Sequence, residues 1–361
     1  MGIYLFVFFY LCFFSLLEMM RKKIRPTNVR KILYIFAFLL LFFIAGFRYG
    51  LEADYWTYYY EFYGESERTL EFAFSALMRI VKFLTGNYNV FLIIFSAITM
   101  SLKYNAFKGY KFCFSVLLIY FVKFFIQFDL NAIRQGLAIA VVFFALEHLR
   151  NEETKKFVLL IVIATTIHAP AIILLVLPFL RKLKLSISTV VLGIVIAVVF
   201  RFYILERMIP LFDGFIPYIL SSNVTVVHHL VYILRNDTTS DAVAVLSFIR
   251  IIIPVICLYY LTRNTSNSLF FKSYYVGAIF NILFLGLDTI GFRLAAYFYA
   301  AEILMMGDLY NSLIPEKIGE VRIRIRTLIP LFAVLFCDMW TFFSLLSVSE
   351  NLVPFRTFLG Q

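Results

Sequence analysis

Residues 1–47 read MGIYLFVFFYLCFFSLLEMM, then RKKIRPTNVRK at 21–31, then ILYIFAFLLLFFIAGF. Two apolar runs flank a short basic loop, and each run is close to the roughly 20 residues that a helix needs to cross a bilayer. The basic cluster follows the first run instead of preceding it, and no small-residue cleavage site closes that run. Residues 1–20 are therefore expected to be a retained first helix and not a removable signal. Placed on the cytoplasmic side by the positive-inside rule, RKKIRPTNVRK sends Lys31 to Phe47 outward and sets the orientation of everything after it.

The rest of the chain repeats this grammar. Of 361 residues, 62% are hydrophobic and only 15% are charged, and the mean hydropathy is +0.89, more apolar surface than a soluble globule can hide. The predicted fold class is an all-α polytopic integral membrane protein with about 11–12 transmembrane helices. It is expected to form a single transmembrane domain over 1–361. The net charge of +11 lies largely in short loops between spans and speaks to topology, not to nucleic acid. Cys12, Cys113, Cys257 and Cys337 stand singly in apolar stretches without ligand spacing and read as packing residues.

Threaded outward from the first loop, residues 48–87 are external, with an interfacial amphipathic helix at 70–84 that Arg79 and Lys82 make too charged to span. Tyr88–Phe107 descends to a second cytoplasmic turn marked by Lys103, Lys108 and Lys111. Phe112–Ile126 returns to the external FDLN turn, and Ala132–Leu149 descends again. Phe157–Ile167 rises to His168, where Pro170 predicts a break and a broken or re-entrant pair of half-helices. A second external loop spans 206–241, and later turns place Arg293 outside. No inverted internal repeat of the transporter kind is visible.

This path gathers five basic residues on the face where basic residues should be scarce: Arg48, Arg134, His168, Arg250 and Arg293. A cation at the edge of a bilayer is costly unless it meets an anion, so the set suggests a site for a negatively charged ligand. Arg134 starts an otherwise apolar helix, with Gln135 beside it and Asn131 as a candidate cap. A cation there opposes the helix dipole, whereas a bound anion would satisfy both the guanidinium and the free N–H groups. Its alternative is a snorkelling arginine paired with Asp129. In RYGLEADYWTYYY, Gly50 allows a tight turn and Asp54 puts a carboxylate near Arg48. Tyr55 and its aromatic neighbours offer stacking faces for a sugar or form an interfacial belt.

His168, at a helix break, has the chemistry of a proton carrier near neutral pH, or else bonds a neighbouring helix. Arg250 sits inside its helix, and Arg293 follows the DTIGF turn, where Asp288 is a competing partner. Guanidinium groups bind phosphate oxygens in a bidentate fork, so several converging would suit a pyrophosphate. His148, His228 and His229 lack a third ligand, and Glu52 with Asp54 is a weak metal pair. No metal is expected. Walker, GxSxG, HExxH and Rossmann signatures are missing.

With these residues in place, the chain resembles the EpsG-like group of polysaccharide polymerases, related to the Wzy-type O-antigen polymerases of bacteria. The resemblance rests on FRYGLEADYWTYY at 47–59, NAIRQGLAIAVVFFAL at 131–146, FVLLIVIATTIHAPAIILL at 157–175 and GFRLAAYF at 291–298. Ala53 and Pro170 depart from the family pattern. The resemblance implies a GT-C-like membrane glycosyltransferase of the bacterial inner membrane that needs no cofactor. It would join undecaprenyl-pyrophosphate-linked oligosaccharide donor and acceptor units at the outer face, beside a flippase and a chain-length regulator. In that scheme Arg48, Arg134, Arg293 and Arg250 would hold the pyrophosphate and Asp54 or His168 would handle the acceptor hydroxyl. A flippase or exporter of the same lipid-linked units, and an O-antigen ligase, are the rival readings.

Overall fold

A chain in lipid must satisfy its own backbone donors and acceptors, and the apolar runs do so as helices. The computed structural model describes residues 1–20, 28–51, 53–65, 70–205, 241–263, 268–285, 288–313, 325–348 and 355–360. Among these the only extended pairing is an isolated antiparallel bridge between Arg48 and Thr357. The protein is thus an all-α polytopic membrane protein. Among the described residues, five helical stretches are long and apolar enough to cross a bilayer: Gly2–Met19, Asn28–Gly46, Tyr88–Phe107, Cys113–Asn131 and Ile329–Ser347. Shorter apolar helices accompany them, among them Ala169–Leu180, Ile187–Tyr203, Leu246–Thr262 and Leu269–Leu283.

The chain divides into unit 1, Met1–Leu175 with Ile303–Gln361, and unit 2, Val176–Glu302. Unit 1 begins with α1 (Gly2–Met20) and α2 (Asn28–Gly46). Phe9, Phe13, Leu16, Ile32 and Leu39 are exposed along them, the surface expected of helices that face acyl chains. Their neighbouring ends are tied by Arg30 and Glu18, 2.8 Å apart, and Glu18 also accepts the Phe114 N–H at 3.0 Å. These contacts lie at the end that carries the 21–31 loop.

Two short helices follow, α3 (Ala53–Tyr63) and α4 (Phe72–Thr85), then α5 (Tyr88–Phe107) and α6 (Cys113–Tyr120). The α4 helix matches the amphipathic element expected at 70–84. It buries Phe74, Met78 and Val81 and exposes Phe72, Ile80, Phe83 and Leu84. From Phe121 to Asn131 the chain is π-helical, and α7 (Ile133–Arg150) and α8 (Thr154–Ile167) then form an antiparallel pair. Nearly every side of α7 is buried, so it is a core helix more than a lipid-facing one.

The expected break at His168 is present. His168 leaves helical geometry at φ −151° and ψ 109°, and the chain continues as a 3-10 helix over Ala169–Val176 and a short α9 (Leu177–Leu180). Unit 2 adds α10 (Ile187–Val199), α11 (Asp241–Thr262), α12 (Ser268–Leu283) and the first part of α13 (Asp288–Leu313). There the Tyr275 hydroxyl donates to the Val190 carbonyl at 3.1 Å. Except for Asp241, the expected loop at 206–241 lies outside the described residues, as do Glu52, His228 and His229. α14 (Ile325–Val348) returns to unit 1. The four cysteines form no disulfide.

One assignment along the spans is corrected. Lys103 does not mark a cytoplasmic turn with Lys108 and Lys111. It is fully buried and donates to Asp129 at 2.5 Å and to the Tyr120 hydroxyl at 2.9 Å, while that hydroxyl also donates to Asp129. A buried ammonium needs such a closed set, because its desolvation cost is offset only by a well-bonded partner.

Candidate functional site

At the opposite end of unit 1 from Glu18, four segments meet. The first is the exit of α2. Phe47 stacks on Phe43 and on Phe358, Tyr49 N–H donates to the Arg356 carbonyl at 2.9 Å, and Phe358 N–H donates to the Phe47 carbonyl at 3.3 Å. The backbone on both sides of Arg48 is thereby held extended. Gly50 then turns the chain into α3 with φ +60°, a conformation that glycine adopts without the steric penalty of a Cβ.

Held this way, Arg48 is only 1% exposed. Its Nη1 donates to the Ala45 carbonyl, while Nε and Nη2 have no hydrogen-bond partner among the described residues. The groups whose charges bear on it are Tyr88, Tyr55, Asp129 and Tyr58.

The α3 helix supplies the second wall. Tyr55, Tyr58 and Phe62, spaced three and four apart, are buried at 1%, 3% and 1% exposure, which is the inward stripe of an amphipathic helix. Trp56, Tyr60 and Tyr63 are exposed. The aromatic run is therefore split: the belt reading fits the outer rings, and Tyr55 and Tyr58 line the interior. Tyr88 caps this wall, its hydroxyl donating to the Tyr55 carbonyl at 3.3 Å. Asp54, in the first turn of α3, is among the charges acting on Tyr88.

The third segment is the start of α7. The π-helix runs through Asn131, so the residue capping α7 is Ala132, with no side-chain cap bond; Asn131 is not the cap. Gly136 lets the two helices approach closely, since a Cβ there would collide with the Phe128 carbonyl. This packing puts Arg134 and the buried Gln135 in the first turn, next to α3.

Arg134 does not pair with Asp129, which belongs to Lys103. Its Nη1 lies 2.5 Å from Glu71 Oε2, its Nε donates to the Tyr58 hydroxyl at 3.4 Å, and its guanidinium sits over the Tyr58 and Phe74 rings at 5.7 and 5.9 Å. Tyr58 is thus shared: bonded to Arg134 and within the electrostatic reach of Arg48.

Glu71 links the fourth segment. Its Oε1 accepts the Ala169 N–H at 3.1 Å, tying the break after α8 to the start of α4. Burial pushes the Glu71 carboxyl up, but Arg134, backbone N–H groups including that of Ala169, and His168 together hold it below the ordinary carboxylate value. His168 is therefore beside a carboxylate, half-buried.

Arg48, Asp54, Tyr55, Arg134, Gln135 and His168 all belong to unit 1, whereas Arg250 and Arg293 belong to unit 2, each half-buried in its helix. The side chain of Asp288, the competing partner for Arg293, lies outside the described residues. Glu71 has no role in the sequence reading, and Tyr58 enters it only as one of the aromatic neighbours of Tyr55, not as a partner of Arg134. An acid directly before the apolar start of α4 favours a helix N-terminus, and Tyr58 falls on the inward stripe with Tyr55 and Phe62; those were the available signals.

Charge balance states what the arrangement can do. Arg134 is compensated by Glu71 and Lys103 by Asp129. Arg48 is left as a buried cation with two open nitrogens, a site shaped for an oxyanion.

The family model described as the EpsG family matches residues 31–357, a range that holds all of these side chains. No curated protein and no solved structure matches the chain.

Proposed function

Because this chain belongs to the EpsG family, we propose that it is a membrane glycosyltransferase that polymerises undecaprenyl-pyrophosphate-linked oligosaccharide repeat units at the outer face of a bacterial inner membrane. The observation that carries the reading is the buried Arg48 guanidinium, with Nε and Nη2 open, linked through Tyr58 to an Arg134 already anchored by Glu71. An anion is the natural complement of that pair. Pyrophosphate, with its several oxygens, fits forked guanidinium donors.

In this mechanism a hydroxyl of the acceptor unit attacks the anomeric carbon of the donor glycan. The bond from that carbon to the pyrophosphate oxygen breaks, and the departing lipid pyrophosphate takes up the negative charge. Arg48 and Arg134 stabilise that charge as it develops. His168, beside the Glu71 carboxylate, receives the hydroxyl proton. Tyr55 and Asp54, in the first turn of α3, contact the sugar. Arg250 and Arg293, in unit 2, have no step in this scheme.

The test is reconstitution of the purified protein with lipid-linked repeat units already on the active face. Chain growth by wild type, its loss in Arg134→Ala and partial recovery in Arg134→Lys are the expected results. Unchanged long chains from Arg134→Ala would overturn the assignment. Substrate movement without growth would indicate a carrier, and transfer to a lipid core a ligase.

A further inference from the structure

Arg79 and Lys82, which make α4 too charged to span, have no part in the anion cluster. Both are exposed, and among the described residues neither forms an ion pair. With Ser75 and Met78 they occupy one stripe of α4, spaced three and four residues apart. Opposite them stand Glu61 and Phe62 of α3, and the two helices, with Leu70 between them, line an open-sided pocket of about 340 Å³. That is the lower end of the size range of small-molecule sites.

The pocket has two chemistries. Two cations ask for an anionic group, and Glu61, whose Oε2 is covered and lacks a donor among the described residues, asks for a hydroxyl. Phe62 and Met78, both buried, form its apolar floor. Snorkelling to lipid phosphates would explain Arg79 and Lys82 alone, but it leaves a carboxylate in the same pocket without a function.

The pocket is also one helical turn from the anion cluster. Ser75 lines it, and the Ser75 N–H donates to the carbonyl of Glu71, the residue that holds Arg134, at 2.9 Å. A glycan whose pyrophosphate lies between Arg48 and Arg134 can run along α4 into it.

We propose that this pocket is a subsite for an acidic sugar residue of the glycan, its carboxylate on Arg79 and Lys82 and a ring hydroxyl donating to Glu61. Its place on the substrate rests on the polymerase reading; its preference for an acidic sugar does not. The repeat unit handled by this chain therefore carries a uronic acid or an equivalent acidic residue.

Binding decides it without polymerisation. The purified full chain in detergent is titrated with glucuronosyl-glucose and with cellobiose, its neutral counterpart, by saturation-transfer NMR. Wild type should prefer the acidic disaccharide at least 10-fold, Arg79→Gln/Lys82→Gln should lose that preference, and Glu61→Gln should weaken both sugars. Arg134→Ala should keep the preference, so a failed polymerase reading leaves this result standing. Equal binding of the two sugars by wild type, a result that needs no variant to fold, overturns the proposal. Survival of the preference in the double variant does so too. Displacement of the sugar by an equal concentration of glycerophosphoglycerol reassigns the pocket to an anionic lipid headgroup and also overturns it.

Discussion

Replacing Arg48 by Met should stabilise the ligand-free protein while abolishing its activity. In the structure, Arg48 is buried with Nε and Nη2 unpartnered among the described residues. A buried polar group left without a partner costs about 1–3 kcal/mol, so the two nitrogens together cost about 2–6 kcal/mol. The substitution forfeits one charge-assisted bond to the Ala45 carbonyl, a loss of about 1.5–3 kcal/mol. An unbranched methionine fills much of the vacated volume. The balance favours the variant by about 2 kcal/mol, an order-of-magnitude figure from the same ranges. Unfolding of the two proteins in detergent, without substrate, measures it. Chain growth should fall at least about 100-fold, the scale of losing one donor to a developing oxyanion. A second arm adds inorganic pyrophosphate: at about 100 times its dissociation constant it should stabilise wild type by about 2.7 kcal/mol and leave Arg48→Met unmoved. A variant several kcal/mol less stable than wild type, together with a wild type indifferent to pyrophosphate, would show Arg48 to be a structural cation and refute the reasoning.

Three other perturbations test the surroundings. The Glu71 carboxyl is held below its ordinary value of 4.5 in the folded protein, so its contribution to stability is present above that pH and is lost as the pH falls through the depressed value. Wild type should therefore unfold at higher temperature than Glu71→Gln at pH 6–7, with the two converging as the pH drops below about 4. Gly136→Ala drives a Cβ into the Phe128 carbonyl; a loss of about 1–3 kcal/mol in unfolding free energy and a disturbed Arg134 are expected, read as lower melting temperature and reduced chain growth. Lys103→Met strips the partner from a buried carboxylate, which costs about 3–5 kcal/mol. It also removes the ammonium that offsets the charge of Asp129, which bears on Arg48, so pyrophosphate stabilisation should shrink, and Lys103→Met/Asp129→Asn should restore it.

The helices of unit 1 were legible because their signals are local. The apolar runs around RKKIRPTNVRK have bilayer length, Arg79 and Lys82 mark α4 as too polar to span, and Pro170 announces the break at His168. The partnerships were not legible, because they join residues far apart in the chain. Lys103 looked like one more cytoplasmic lysine beside Lys108 and Lys111, yet its partner is Asp129, 26 positions on. Asp129 looked like the partner of Arg134, five positions away, but Arg134 reaches Glu71 across 63 positions. No periodicity encodes such a choice. The cap assignment to Asn131 failed for a related reason: sequence rules for α-helix termini do not anticipate a π-helix running directly into the next helix.

The contrast between two buried cations of unit 1 carries the functional argument furthest. Lys103 shows how this fold neutralises a charge when only rigidity is needed: one carboxylate, one hydroxyl, all within hydrogen-bond distance of one another. Arg48 has the same degree of burial and a larger set of donors, yet its surroundings offer hydroxyl-bearing rings instead of a carboxylate of its own. The backbone that holds it is bridged to residues 356–358, and the neighbouring cation is fastened through Glu71 to the Ala169 amide. Donors fixed in this way need no rearrangement when charge develops near them, the condition under which electrostatic stabilisation lowers a barrier most. On the polymerase reading proposed above, the open donors of Arg48 are placed where the charge of the leaving group is created.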